Sequence, residues 1–198
     1  MKNLKRRWKL GILVAAVIVF GFYGLGLIAS RGTFAPSRPA SESPGNLITV
    51  GVPGHRLAGR VFLVGTPAPS APIVIVLHGD APFANPGYQY AFALDVARAV
   101  PGTRAVALLR PGYADPYGAK SDGDRGFALG ENYTSQVVND VAAAIQSLKS
   151  RWEAPAVILV GHSGGSAIAA NIAALYPGLL QHVFLVGYPR DVPAFRRH

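Results

Sequence analysis

The sequence predicts an α/β fold in which a mostly parallel sheet of about six strands carries helices on both faces. Short apolar runs alternate with longer helical segments, and this alternation is typical of parallel strands joined by right-handed crossovers. The run Ile73–Leu77 is continuously apolar and mostly β-branched, as expected of a strand that is covered on both faces. The segment 132–151 has apolar residues at helical spacing and predicts a long amphipathic helix. Together these patterns predict one layered domain over residues 47–198.

The predicted elements follow one another at short intervals along this domain. The strands are 47–50, 60–64, 73–77, 104–109, 156–160 and 183–186, and the helices are 90–100, 132–151 and 166–175. The first two strands are compatible with a hairpin through Pro53 and Gly54. In a parallel sheet of this kind the functional residues gather at the carboxyl ends of the strands.

The positive charge of the chain is concentrated ahead of the domain. The formal net charge is +9, and five of the 19 lysines and arginines lie in residues 1–9. The next segment, 10–30, carries no charge, and as a helix it would span about 31 Å, close to the hydrocarbon thickness of a bilayer. Since basic residues mark the cytoplasmic side, we expect a single transmembrane anchor with residues 1–9 in the cytoplasm and the domain beyond the membrane. The alternative is a cleaved signal peptide, which would leave the domain periplasmic or secreted.

The rest of the composition limits the classes of partner and of site that are expected. Residues 31–46 are rich in Pro and Ser and predict a linker between membrane and domain. The domain has no basic patch interleaved with aromatic residues, so nucleic acid is not an expected partner. The sequence contains no cysteine, which excludes disulfides, thiolate catalysis and metal sites with cysteine ligands.

A candidate nucleophile follows the predicted strand 156–160. Residues 161–165, Gly-His-Ser-Gly-Gly, fit the pattern G-x-S-x-G, and a helical segment comes directly after them. At a sharp turn between strand and helix, the glycines remove Cβ atoms that would clash and the hydroxyl of Ser163 is lifted clear of the sheet. The alternative is an ordinary glycine-rich turn.

Two further loops follow strands at the same edge of the predicted sheet. His78-Gly79-Asp80 comes after 73–77, and its backbone N–H groups are suited to stabilise a developing oxyanion. The alternative for this loop is a plain turn into the next helix. The segment 110–113, Arg-Pro-Gly-Tyr, either shapes a substrate cleft or simply turns the chain.

These three motifs, in this order and each at a strand end, resemble those of the α/β-hydrolase superfamily, over roughly residues 47–188. The resemblance implies a serine hydrolase of the esterase or peptidase kind, with Ser163 as the nucleophile. It implies an oxyanion hole made by the backbone N–H groups of Asp80 and Gly164, with the acidic side chain of Asp80 pointing away. The substrate would be a small molecule or peptide with an ester, amide or related acyl bond, cleaved through an acyl-enzyme. No metal or organic cofactor is implied.

The later part of the chain departs from the superfamily pattern, in which an acid and then a histidine follow the serine. Only 35 residues follow Ser163, with Asp191 as their one acid and His182 and His198 as their histidines. Asp191 comes after the last predicted strand and is the candidate acid, or else a loop or capping aspartate. His198 is the candidate base, although a chain end is a poor holder of an oriented base.

The four other histidines are expected to have other roles, and His55, which precedes the parallel strands, is expected to lie in a turn. His182 begins a strand and so lies at the opposite end of the sheet from the site. We expect His78 to support the oxyanion loop and His162 to leave on the other face of the turn. The alternative for the whole chain is a truncated, catalytically incompetent relative, either inactive or serving as a membrane-tethered binding module.

Overall fold

Six strands form a single sheet in the computed structural model, which describes residues 44–128 and 132–191. The strands are β1 Asn46–Val50, β2 Leu57–Phe62, β3 Ile73–Leu77, β4 Ala105–Leu108, β5 Val157–His162 and β6 His182–Val186. They lie in the order β1-β2-β4-β3-β5-β6. The pairs β4–β3, β3–β5 and β5–β6 are parallel, whereas β1–β2 and β2–β4 are antiparallel. The prediction of a mostly parallel sheet of about six strands is confirmed.

Three helices cover the two faces of this sheet. They are α1 Tyr88–Ala99, α2 Ser135–Arg151 and α3 Gly164–Leu175. Alternate side chains of β3 point to opposite faces: Ile73, Ile75 and Leu77 pack in the cluster that holds α2 and α3, while Val74 and Val76 pack in the cluster that holds α1. Burying each such side chain contributes about 1.5–3 kcal/mol. This double coverage explains why the sequence of β3 is continuously apolar.

The hairpin at the start of the domain is confirmed, but its strands are displaced from the prediction. β1 begins at Asn46, the last residue of the predicted linker, and Val50 pairs with Leu57, so that residues 51–56 form the connection. β2 starts three residues earlier than predicted because Gly59, which resembles a turn residue in sequence, is an interior strand position. A Cβ there would lie 2.8 Å from the carbonyl oxygen of Ala107, so only glycine allows this approach to β4.

Several predictions concern residues beyond the described ranges. The basic segment 1–9, the proposed membrane segment 10–30, residues 31–43 of the linker and His198 all lie outside them. Within the described ranges, no helix is both long enough and apolar enough to cross a bilayer.

Candidate active site

Ser163 occupies a strained bend between β5 and α3. Its backbone has φ 49° and ψ −119°, a conformation that costs a non-glycine residue about 1–3 kcal/mol and persists only where the surroundings hold it. Here the N–H of Ser163 donates to the carbonyl of Val186 at 2.8 Å. Its carbonyl accepts from the backbone N–H of Ser166 at 2.9 Å and from the Ser166 hydroxyl at 2.5 Å. The predicted sharp turn between strand and helix is therefore present.

Glycines allow the strands and α3 to come together around this bend. A Cβ on Gly161 would lie 2.5 Å from the carbonyl oxygen of Gly165, and a Cβ on Gly165 would lie 2.5 Å from that of His78. Both distances are shorter than real carbon–oxygen contacts, so neither position accepts a side chain without backbone movement. A Cβ on Gly79 would lie 2.9 Å from the Cβ of Ser163. The loop after β3 thus packs directly against the serine, as the sequence predicts.

The side chain of Asp80 lies over the bend at Ser163, which we call the elbow. Its Oδ1 atom is the atom nearest to the place that a Cβ on Gly164 would take. The same oxygen pairs with Nη1 of Arg110 at 2.7 Å, and the two side chains are 2% and 0% exposed. The hydroxyl of Tyr133 donates to Oδ2 at 2.5 Å. The expectation that this carboxylate points away from the site is wrong, because Arg110 and Tyr133 hold it against Gly164.

Arg110 is an interior charge and neither a cleft residue nor a simple turn residue. Its guanidinium carbon lies 5.3 Å from the ring centre of Tyr113 and 5.5 Å from that of Tyr133. Among the described residues, its Nε and Nη2 atoms have no hydrogen-bond acceptor. Both aromatic rings lie within cation–π distance of this buried cation.

His78 supports the loop, as predicted, and does not act on Ser163. It is fully buried, its Nδ1 lies 2.7 Å from the carbonyl oxygen of Gly79, and its Nε2 accepts from the backbone N–H of Arg110 at 3.1 Å. Burial, with the charge of Arg110, lowers the pKa of His78 to about 3. The ring is therefore neutral at physiological pH, and both of its nitrogens are engaged with the backbone.

Tyr88 and His162 form a second support that the sequence did not reveal. The hydroxyl of Tyr88 accepts from the N–H of Gly79 at 2.6 Å and lies 2.8 Å from Nδ1 of His162. Burial lowers the pKa of His162 and raises the pKa of Tyr88 to about 12, so both side chains are neutral at physiological pH. Because the N–H of Gly79 is committed to Tyr88, the oxyanion donor expected from this loop is the next one, at Asp80. The only sequence signal for Tyr88 is its place at the start of the helix that follows the loop.

Of the predicted acid and base, Asp191 lies within the described residues and His198 lies outside them. Asp191 is exposed, is the last residue described, and follows the carboxyl end of β6. His182 begins β6 and so lies at the amino end of that strand, as expected. His55 lies away in sequence from all three loops, with its Nδ1 3.3 Å from a carboxylate oxygen of Asp140. The roles of Asp191 and His198 stay predictions.

A second buried ion pair is formed between Arg60 of β2 and Asp115 of the loop after β4. Nε of Arg60 donates to Asp115 at 2.7 Å, and the hydroxyl of Tyr90 donates to the same oxygen at 3.0 Å. The N–H groups of Tyr117 and Ala119 both donate to the other oxygen at 2.8 Å. Burial opposes ionisation of Asp115, but these bonds, that of Arg60 above all, lower its pKa. This pair joins the loop to β2.

Comparison with known proteins agrees with this architecture. The family described as "Serine aminopeptidase, S33" matches residues 115–192. An epoxide hydrolase from an endophytic Streptomyces is 28% identical, with a TM-score of 0.50, over 72% of this chain and 37% of that protein. Brefeldin A esterase, a bacterial homologue of human hormone-sensitive lipase, is 19% identical, with a TM-score of 0.52, over 89% of this chain and 48% of its own.

A third structure, Est1E from Butyrivibrio proteoclasticus, is 12% identical, with a TM-score of 0.55, over 76% of this chain and 54% of its own. The chain thus spans between about a third and just over half of the length of these structures. A comparison with curated proteins gives no match. The sheet order, the bend at Ser163 and these similarities are consistent with the α/β-hydrolase superfamily, and residues 115–192 match one family model of it.

Proposed function

We propose that this protein is a serine hydrolase that cleaves an ester, amide or related acyl bond through an acyl-enzyme at Ser163. The observation that carries the proposal is the strained bend at Ser163, closed by glycines on both sides and packed against Gly79. Strain of this kind is retained where the surrounding structure over-determines it, and such positions cluster at active sites.

The chemistry follows from this placement. The Ser163 oxygen attacks the acyl carbon, and the tetrahedral oxyanion collapses to an acyl-enzyme as the alcohol or amine leaves with a proton. Water then releases the acid and regenerates the serine. Gly164 is the first residue of α3, so its N–H has no partner within the helix and lies at the positive end of the helix dipole. With the N–H of Asp80 it forms the proposed oxyanion hole, and no metal or organic cofactor is required.

The proposed acid, Asp191, follows a strand that is already coupled to the elbow. The carbonyl of Val186, the last residue of β6, accepts the N–H of Ser163. The chain that continues from Val186 therefore starts beside the nucleophile and leads to Asp191 and to the proposed base, His198. Activation of the hydroxyl depends on such a base, because a serine is a weak nucleophile without one.

Labelling of the 198-residue chain with a fluorophosphonate tests this function. We expect covalent modification of Ser163 and its complete loss in Ser163→Ala. Ser70→Ala is the matched control, since Ser70 is an exposed loop residue, and it should be labelled like the wild type. A folded wild-type protein without Ser163-dependent labelling would contradict the proposal and favour the non-catalytic binding module.

We also propose that residues 10–30 anchor the domain at the outer side of a cytoplasmic membrane. The support is the uncharged apolar segment preceded by five basic residues. The wild type should stay with membranes during alkaline carbonate extraction, whereas a Val17→Arg/Ile18→Arg variant should be released. A mature protein that lacks its first thirty residues by mass would show cleavage of a signal peptide instead.

A further inference from the structure

We propose that Arg110 is a positioning residue that cancels the charge of the Asp80 carboxylate beside the oxyanion hole, so that this carboxylate does not oppose the transition state. The inference rests on the proposed function of Ser163. It assigns a role to an ion pair that the reaction scheme itself does not use.

The negative charge of Asp80 lies beside the proposed oxyanion hole. Oδ1 of Asp80 is the nearest atom to the Cβ position of Gly164, and Gly164 provides one of the two proposed oxyanion donors. The other donor is the backbone N–H of Asp80 itself. A carboxylate within a few ångströms of a forming oxyanion repels it, and it competes for the same positive ends of the N–H dipoles. Without compensation, an aspartate at position 80 would slow the reaction.

The ion pair of Asp80 and Arg110 is shielded from solvent. The Asp80 and Arg110 side chains are 2% and 0% exposed, so bulk water contributes little to screening either charge. Nη1 of Arg110 lies 2.7 Å from Oδ1, the oxygen that faces Gly164. The hydroxyl of Tyr133 serves the other oxygen, and burial followed by this bond raises the pKa of Tyr133, which keeps the phenol protonated as a donor. The carboxylate is thereby fixed in position and paired with a permanent cation.

Arg110 contacts the loop after β3 through both its side chain and its backbone. Among the described residues Asp80 is its only ion-pair partner, and its Nε and Nη2 atoms have no acceptor. Its backbone N–H bonds to His78, which in turn bonds to Gly79. Arg110 thus acts on the oxyanion loop in two ways: its side chain neutralises Asp80, and its backbone fixes His78. The first of these is electrostatic and can be separated from folding by mutation.

Two substitutions test the proposal, one that removes the positive member of the ion pair and one that removes the negative member. Arg110→Met removes the cation from beside the carboxylate, and Asp80→Asn removes the anion from beside the guanidinium, so both variants should lose stability. The rate of Ser163 phosphonylation by a fluorophosphonate, expressed per folded molecule, should change in opposite directions. Arg110→Met should slow it about 100-fold, because a charge close to the oxyanion is now uncompensated. Asp80→Asn should speed it about threefold, because the remaining cation favours the oxyanion.

The double variant and a conservative variant complete the test. Asp80→Asn/Arg110→Met removes both charges and should be labelled at least about ten times faster than Arg110→Met alone. Arg110→Lys keeps a cation and should remain well above Arg110→Met. For each variant the change should lie in the maximal labelling rate and not in the half-saturating probe concentration, because the oxyanion forms only in the reacting state.

The outcomes separate this inference from the proposed function. Equal slowing in Arg110→Met and Asp80→Asn would show a merely structural pair and overturn the inference, while Ser163-dependent labelling of the wild type would leave the function standing. If Arg110→Met does not fold, Asp80→Asn alone decides, and a rate at or below that of the wild type overturns the inference. Absence of Ser163-dependent labelling in the wild type overturns both.

Discussion

Two buried arginine–aspartate pairs in the described part of the chain are alike in geometry and differ in their surroundings. In each pair the nearest nitrogen and oxygen are 2.7 Å apart. Each guanidinium also stacks on two tyrosine rings: Arg60 on Tyr90 and Tyr117, and Arg110 on Tyr113 and Tyr133. Yet Asp115 receives two backbone N–H bonds from its own loop, whereas Asp80 lies against Gly164.

This difference shows that the place of an ion pair in the fold, more than its bond length, indicates its role. Asp115 accepts from two N–H groups of its own loop and from Arg60 and Tyr90 outside it, so its charge organises that loop and fixes it to the sheet. Asp80 is bonded by groups from the loop after β4 and from the segment before α2, at the edge where the strands end beside Ser163. A buried ion pair is weak evidence for stability by itself, because desolvation offsets much of the attraction. Its contribution to catalysis depends on what lies within a few ångströms.

The largest effect that would sharpen this comparison is loss of stability without loss of chemistry. Arg60→Met leaves Asp115 buried without its cation and should lower the free energy of unfolding by about 3–5 kcal/mol. The rate of Ser163 phosphonylation per folded molecule should stay at the wild-type value, because the hydrogen bonds of Arg60 among the described residues go to Asp115 and Gly45 and not to the loops at Ser163 and Gly79. Urea unfolding and probe kinetics on the same samples measure the two quantities. A marked fall in the normalised rate would remove the distinction between the pairs.

Acid should weaken the region of Arg110 through His78, which bonds to the Arg110 N–H. The pKa of His78 is about 3 in the folded protein against an ordinary value of 6.5, so below pH 6.5 the unfolded chain takes up a proton that the folded protein refuses. The free energy of unfolding should therefore fall as pH drops from 6.5 towards 3, by about 2 kcal/mol at pH 5. The lowered pKa of His162 acts in the same direction.

Substitution of the histidine isolates its share of this acid sensitivity. In His78→Gln the fall between pH 7.5 and pH 5 should be smaller by about 2 kcal/mol, whatever the stability at pH 7.5. His182→Gln serves as the control because that side chain is exposed at the start of β6. Acid sensitivity that persists in full after His78→Gln would disprove the assignment.

The tyrosine hydroxyls that donate to the two aspartates offer a matched pair of substitutions. Tyr133→Phe and Tyr90→Phe each remove one donor to a buried carboxylate and should each cost about 1.5–3 kcal/mol of stability. Tyr133→Phe should also slow phosphonylation of Ser163 about tenfold, since the freed Asp80 oxygen lies beside the oxyanion hole. Tyr90→Phe should leave the normalised rate unchanged. Equal rates in the two variants would mean that Asp80 has no more influence on Ser163 than Asp115 has.

The elements and the elbow were predictable from sequence because their signals are local. The continuous apolar run of β3, the spacing within α2 and the glycines around Ser163 each report on neighbours within a few residues. The start of β2 was misplaced because Gly59 is a turn residue by composition and a strand residue only when β4 lies against it. The direction of the Asp80 side chain was wrong for a related reason: its partners Arg110 and Tyr133 are 30 and 53 residues away in sequence.

By itself the sequence determined that strands alternate with helices, that a serine sits in a glycine-lined bend, and that loops with hydrogen-bond donors follow the strands at one edge. These properties follow from side-chain periodicity and from the special backbone freedom of glycine. Only the tertiary structure decided which side chains surround that serine. The links from Tyr88 to His162, from Arg110 to Asp80 and from Tyr133 to Asp80 join segments that are far apart in sequence. A residue pattern has no means of expressing such links, because they exist only once the parallel strands have brought their ends together.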